Sequence, residues 1–234
     1  MLRPPPAPGP ERMTRWAHLG VNPSRVPLDL LARLREKSEF LSVEPYCQAT
    51  KPLSAHELTS LVSAGRVFSP NLVEAAGMLG VVADDAAAAA KKSSHVSALC
   101  DMLMDAGHGE TVVLVRCGPE GGVVASQATG SDTKIRLPAF PDTRVVDVTG
   151  CGNSFMGGFL AGLDVEGYTA EPEHATVEQL ARACAWGHTS ASFMAEVVGV
   201  PPVGFMGGLD RSEVQRRFDT IWAGKTVLDD DGDI

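Results

Sequence analysis

Residues 147–163, DVTGCGNSFMGGFLAGL, constrain this chain more than any other stretch. An apolar run ending in Val145 and Val146 stops at Asp147 and passes through the turn Thr149-Gly150-Cys151-Gly152. It continues as a small-residue, apolar segment that reads as a helix. Strand, glycine turn and helix in that order bare backbone N–H groups at a helix N-terminus, where the helix dipole favours negative charge. Gly150 and Gly152 permit unusual dihedrals and let the backbone approach a phosphate closely. The amides of Gly150, Cys151, Gly152 and Asn153 are therefore expected to form an anion hole, with Asp147 and Thr149 shaping the turn. Asn153 opens the helix, where catalysis would want a base. Its amide can orient a hydroxyl but takes no proton at neutral pH.

The rest of the chain alternates β-prone and helical patterns. Helices are expected over 27–37, 54–64, 71–80, 84–92 and 94–106, and over a long small-residue stretch, 176–198. Short strands are expected over 40–44, 66–69 and 111–117. Strands alternating with helices imply βαβ units, hence an α/β fold with a mostly parallel sheet covered on both faces. Ligands in such sheets sit beyond the carboxyl ends of the strands. Asn71, Gly118 and the 147–153 turn all follow expected strand ends, so they can converge.

Two of these stations allow two readings each. Asn71 and Glu74 lie one helical turn apart; the plain reading is an Asn N-cap with Glu at the third helical position. The run TVVLVRC, 111–117, leads into Gly118-Pro119-Glu120-Gly121-Gly122 and on to Val123–Ala128. It reads as a hairpin, and Arg116 at its foot is able to hold a phosphate bidentately. His188, on the small-residue helix, is read as a packing or surface residue.

The 147–163 segment resembles the C-terminal signature of the PfkB family, the ribokinase-like sugar and nucleoside kinases. Asp147, Thr149, Gly150, Gly152, Phe155 and Gly158 match it, with Cys151 in the usual alanine place. Asn153 aligns with the family's catalytic aspartate, and Arg116 stands where a small hydroxyl residue is common. The resemblance covers roughly residues 38 to 200 and implies a three-layer ribokinase-like fold. It implies an N-x-x-E motif at Asn71 and Glu74 that helps hold the water shell of ATP-bound magnesium. A phosphate-side G-x-x-G turn at Gly118 and Gly121 follows, and in some relatives a monovalent cation near Asp147 and Thr149. It also implies that the family's earlier strands and β lid, which grip the acceptor and through which many relatives pair, are missing here. The segment 40–71 resembles a poorly characterised fungal branch that favours Asn at the base position.

Composition narrows the remaining classes. A net charge of −9 over 234 residues argues against a nucleic-acid surface. No apolar run reaches the length of a membrane span. The five cysteines are scattered without a C-x-x-C pair, as suits a reducing, cytoplasmic compartment. The domain plan is a Pro-rich lead-in over 1–15, a partial kinase-like domain over 16–225 and an acidic tail over 226–234. Two functions of different class follow. One is an ATP-dependent phosphotransferase acting on a sugar or nucleoside hydroxyl, impaired by Asn153. The other is an inactive nucleotide-binding or interaction module on the same scaffold. A Rossmann dehydrogenase is disfavoured, because no acidic residue ends a strand about twenty residues after the glycine turn. The acceptor and the oligomeric state are not legible.

Overall fold

A computed structural model describes residues 14–46, 52–81, 86–127, 133–166, 176–199 and 210–228. The acidic residues 229–234 and the prolines before residue 14 lie outside the described residues. Seven strands form one sheet in sequence order, β1 to β7. β1 (Thr14–Val21), β2 (Ser38–Pro45), β3 (Val67–Phe68) and β4 (Val112–Arg116) are parallel to one another. Between them run α1 (Leu28–Lys37), α2 (Ala55–Val62), and then α3 (Leu72–Leu79), α4 (Ala86–Lys91) and α5 (Ser93–Ala106). From β4 onward the sheet turns antiparallel, through β5 (Gly122–Ala125), β6 (Lys134–Leu137) and β7 (Thr226–Leu228). The expected parallel character therefore holds for the first half of the sheet. β1 and β7 draw Thr14 and Thr226–Leu228 into the sheet, from segments read as lead-in and tail.

Local chemistry accounts for the helix boundaries. α2 starts in a capping box between Ser54 and Glu57, and α3 in one between Asn71 and Glu74. α3 ends at Gly80, whose φ of 70° is the left-handed conformation that closes many helices. α1 carries Asp29 in its first turn and Arg35 and Lys37 in its last, complementing its dipole.

Side-chain alternation along the strands divides the core into two layers. Leu41, Val43, Phe68, Val113 and Val115 pack with α1, α2, α3 and α5. Phe40, Val67, Val112 and Leu114 face the opposite side. That side is covered by α6 (Cys151–Val165), α7 (Val177–Met194) and α8 (Arg211–Ala223). Three layers result, helix–sheet–helix. α6 and α7 approach closely because glycines line their contact. A Cβ on Gly158 would lie 2.7 Å from the Trp186 carbonyl, and one on Gly162 2.9 Å from Ala183 Cα. His188 of α7 is buried, its ring 4.9 Å edge-on from Phe155.

Two expectations follow from this packing. Gly162→Val forces a branched side chain between two helices and should cost about 1–3 kcal/mol. It would be read as a lower urea midpoint at unchanged slope; a neutral result would mean the helices can part without loss. Burial holds the His188 imidazole down to about 4. The unfolded chain then takes up a proton first as pH falls, so this site's contribution is intact above about pH 6.5 and lost toward about pH 4. Stability should fall on acidification with a slope of about 1 kcal/mol per pH unit from this group, and His188→Leu should flatten it. A slope that persists unchanged in the variant contradicts the assignment.

Candidate functional site

The alternation that builds the core also decides which polar side chains meet. Trp16, Phe40 and Leu114 face the α6 layer, so His18, Glu44 and Arg116, each an even number of residues along the same strands, face it too. β3 ends at Phe68, paired with Val43 and Val113, but the chain continues between β2 and β4 before α3 begins. The Ser69 N–H donates to the Val43 carbonyl at 2.9 Å, the Arg116 N–H donates to the Pro70 carbonyl at 3.0 Å, and Asn71 bridges Arg116. Over this segment the Arg116 side chain reaches back toward β2.

There its Nη1 lies 2.7 Å from Glu44 Oε1, and its Nη2 donates to the Ser69 carbonyl at 2.9 Å. Glu74 Oε2 is 3.7 Å from the same Nη2. The Arg116 side chain is 12% exposed and that of Glu44 9%, so this is a nearly dry ion pair. Arg116 Nε and Ser69 Oγ are buried without hydrogen-bond partners among the described residues. On its far side Glu44 Oε2 lies 3.3 Å from His18 Nε2, and His18 Nδ1 is 2.9 Å from Ser42 Oγ. Burial pushes the Glu44 carboxyl upward, but His18 and Arg116 together outweigh it and hold it below the ordinary value. At Glu74 burial wins over the Asn71 N–H and Arg116, and the carboxyl is raised.

Asn71 and Glu74 make the full capping box. Asn71 Oδ1 accepts the Glu74 N–H at 2.8 Å, and Glu74 Oε2 accepts the Asn71 N–H at 2.7 Å. The capping reading is therefore present in the structure. It commits one oxygen of Glu74; Oε1 makes no hydrogen bond among the described residues.

The glycine turn departs from the expected strand–turn–helix. Val145, Val146 and Val148 are half or more exposed, and no strand forms there. The antiparallel β5–β7 continue the sheet beyond β4, and the valine segment lies against α7 instead. The N–H groups of Val146 and Asp147 both donate to the Ala195 carbonyl, at 2.7 and 3.2 Å. Asp147 Oδ1 accepts the Thr149 N–H at 2.9 Å, a contact that holds its carboxyl below the usual range. Gly150, at φ 85°, is the N-cap of α6. The Cys151 N–H donates to the Val148 carbonyl at 3.2 Å, which removes it from the expected anion hole. The N–H groups of Gly150, Gly152 and Asn153 have no backbone acceptor among the described residues. Asn153 is exposed.

Gly152 joins the turn to the ion cluster. A Cβ there would overlap Arg116 Nη1 and lie 2.9 Å from Glu44 Oε1. Only glycine lets the α6 N-terminus touch this guanidinium. The β4–β5 hairpin is also formed, with the Cys117 N–H donating to the Gly121 carbonyl at 2.7 Å. Gly121, at φ 82°, has no room for a side chain against the Leu137 carbonyl. Gly118 borders open space beside a cavity of about 350 Å³ lined by Asn71, Val73, Arg116 and Glu120. Asn71, Glu74, Arg116, Gly118 and the 150–153 turn thus gather at one end of the sheet, while His188 lies in the core. The sequence reading missed His18 and Glu44 as site residues. Their signal was a charged or polar residue at even spacing in strands whose neighbours are apolar.

Comparison with known proteins gives this geometry a lineage. The profile of the pfkB family carbohydrate kinases matches residues 12–202. An uncharacterised protein of Schizosaccharomyces pombe is 25% identical over 171 residues, covering 68% of this chain and 43% of that protein. Among solved structures, ribokinase from Giardia lamblia superposes with a TM-score of 0.61 at 18% identity, covering 88% of this chain and 59% of that one. Arabidopsis thaliana ribokinase, complexed with ribose and ATP, gives 0.60 at 18% identity, covering 87% and 55%. Aminoimidazole riboside kinase from Salmonella enterica, complexed with aminoimidazole riboside and an ATP analogue, gives 0.59 at 16%, covering 88% and 61%. The chain thus spans less than two thirds of the length of each of these proteins, and at these identities the solved structures establish the fold. Among the described residues no helix is long and apolar enough to cross a membrane. With a family profile running through most of its length and a ribokinase-like fold to match, the chain belongs to the pfkB family of carbohydrate kinases.

Proposed function

We propose that this chain binds ATP with its magnesium and transfers the γ-phosphoryl group, slowly, to a hydroxyl of a sugar or nucleoside. One observation carries the reading: the open N–H groups of the α6 N-terminus, the Arg116 guanidinium and the Glu74 carboxylate share one end of the sheet. Phosphoryl transfer asks little covalent chemistry of a protein, and positioning with electrostatic stabilisation supplies most of the rate. The amides of Gly150, Gly152 and Asn153 suit a terminal phosphate. Arg116, anchored through Glu44 and Ser69, keeps donors free for a second phosphate oxygen. Magnesium arrives with the nucleotide and keeps most of its waters, so Glu74 would meet it through its shell while Asn71 holds Glu74 in place. Gly118 and Gly121 shape the turn beside the phosphates. A monovalent cation near Asp147 and Thr149 belongs to the same reading. The named sugar and riboside ligands of the solved relatives support the acceptor class.

Asn153 is why the proposed rate is low, since a well-placed general base is worth about 10²–10⁴-fold. The competing function is a nucleotide-binding module that turns nothing over, favoured by the same residue. Calorimetry with Mg·ATP, beside phosphotransfer to a panel of sugars and nucleosides, separates them. Micromolar to millimolar binding with measurable transfer is expected. Asn153→Asp should raise kcat by about tenfold or more at unchanged Mg·ATP affinity. Binding without transfer in either form would favour the module, and absence of Mg·ATP binding would remove the nucleotide reading.

A further inference from the structure

The glycine turn ends a loop, residues 138–150, that joins β6 to α6. Little of the stretch before the helix is packed. Val145, Val146 and Val148 are half or more exposed, and among the described residues no side chain caps α6. The course of this stretch is fixed from outside, by the end of α7. The Ala195 carbonyl takes the N–H groups of Val146 and Asp147, and Glu196 Oε1 takes that of Arg144 at 3.3 Å. Gly150 rests on the same end, since a Cβ there would lie 2.9 Å from Met194 Cε.

What holds the end of α7 is an arginine from α8. Arg217, its side chain 8% exposed, commits every guanidinium nitrogen. Nη2 donates to both Glu196 oxygens, at 3.1 and 3.0 Å, Nη1 to Ser192 Oγ at 3.1 Å, and Nε to Glu213 Oε1 at 2.8 Å. Its Cζ lies over the Phe193 ring, 3.9 Å from the centroid, and 4.8 Å from the centroid of Phe140. Phe140 belongs to the first part of the same loop. One guanidinium therefore grips the loop's entry and the α7 end that holds its exit. Stability alone does not ask for this, because a well-packed apolar side chain of similar volume often serves as well as a buried ion pair. What the planar fork adds is fixed geometry. α8 also lies beyond residues 12–202, the stretch that the family profile matches.

We infer that Arg217, acting through Glu196, is the positioning residue of the glycine turn, holding the 144–152 backbone in the shape that presents its open N–H groups to a terminal phosphate. The inference rests on the nucleotide reading above. Anion binding at a helix start needs several amides aimed at one point before the ligand arrives. A loop free to wander loses that aim, and binding must then meet the cost of ordering it. The loss falls on the nucleotide whose terminal phosphate reaches the turn. ADP, one phosphate shorter, has less to lose.

Two measurements on the full chain test this. The variants are Arg217→Met, which keeps apolar contact with both rings, and Glu196→Ala, at a side chain 23% exposed. Ile221→Val, a buried change on the same helix, is the control. In the unliganded protein, amide hydrogen exchange at Val146 and Asp147 should quicken by about tenfold or more in both variants, with the core of α6 unchanged. By calorimetry, the native preference for Mg·ATP over Mg·ADP should shrink by about tenfold, chiefly through weaker Mg·ATP binding. Ile221→Val should move neither readout. Unchanged exchange at the two amides, or exchange that quickens equally in the control, would overturn the inference. So would quickened exchange with the Mg·ATP preference intact, since the loop's shape would then not govern phosphate binding. A native chain with no preference for Mg·ATP is distinguishable from these. It would remove the nucleotide reading, and the phosphate role of Arg217 with it, even where the amides loosen as expected.

Discussion

A guanidinium taken out of water between carboxylates is unstable unless its partners are well placed, because desolvation costs several kcal/mol per ion. Arg116 meets that condition through Glu44 at 2.7 Å and the Ser69 carbonyl at 2.9 Å, with Glu74 further off. Each contact ties down a different piece of chain: the end of β2, the β3–α3 turn and the first turn of α3. The fourth piece, the start of α6, is shaped by the same group, since only glycine at 152 leaves room for it. One side chain therefore sets the relative position of the elements that make up the candidate site.

The dependence runs back to sheet geometry. Glu44 and Arg116 stand on the strands that flank β3 and face the same layer. The chain past Phe68 continues between them, the Ser69 N–H donating to the Val43 carbonyl and the Arg116 N–H to the Pro70 carbonyl. The Arg116 side chain spans this middle segment, donating to the Ser69 carbonyl on its way to Glu44. Ligand sites in α/β folds form where strands end and loops diverge, and this is the carboxyl end of β2, β3 and β4. Membership of the pfkB family and a ribokinase-like fold fit this placement.

Much of this was readable from residues alone, for identifiable reasons. α1, α2 and α3 have clear apolar periodicity and capping residues, and β4 is a β-branched run ending in a glycine turn. The strand expected at Val145–Val146 failed because apolarity does not supply a pairing partner; β5 to β7 extend the sheet past β4, and the valines lie exposed beside α7. β6, KIRL, and β7, TVL, are too short and too polar to stand out, and they form because β5 offers an edge. β1 was obscured by the prolines before it, although Trp16, His18 and Gly20 alternate with Ala17, Leu19 and Val21. The glycine turn, Asn71, Glu74, Arg116 and Gly118 could be named from local pattern. Glu44 and His18 left only the weak signal of polar residues at even spacing in apolar strands, since their meeting depends on parallel register bringing distant strands side by side.

Whether the α6 N-terminus receives phosphate beside Arg116 decides the function of this site. A crystal structure of the chain with magnesium and a non-hydrolysable ATP analogue tests this most directly. The terminal phosphate is expected on the N–H groups of Gly150, Gly152 and Asn153, with the Arg116 guanidinium against it and Glu74 facing the metal's waters. Nucleotide bound elsewhere, with the turn empty and Arg116 still turned wholly to its carboxylates, would contradict it.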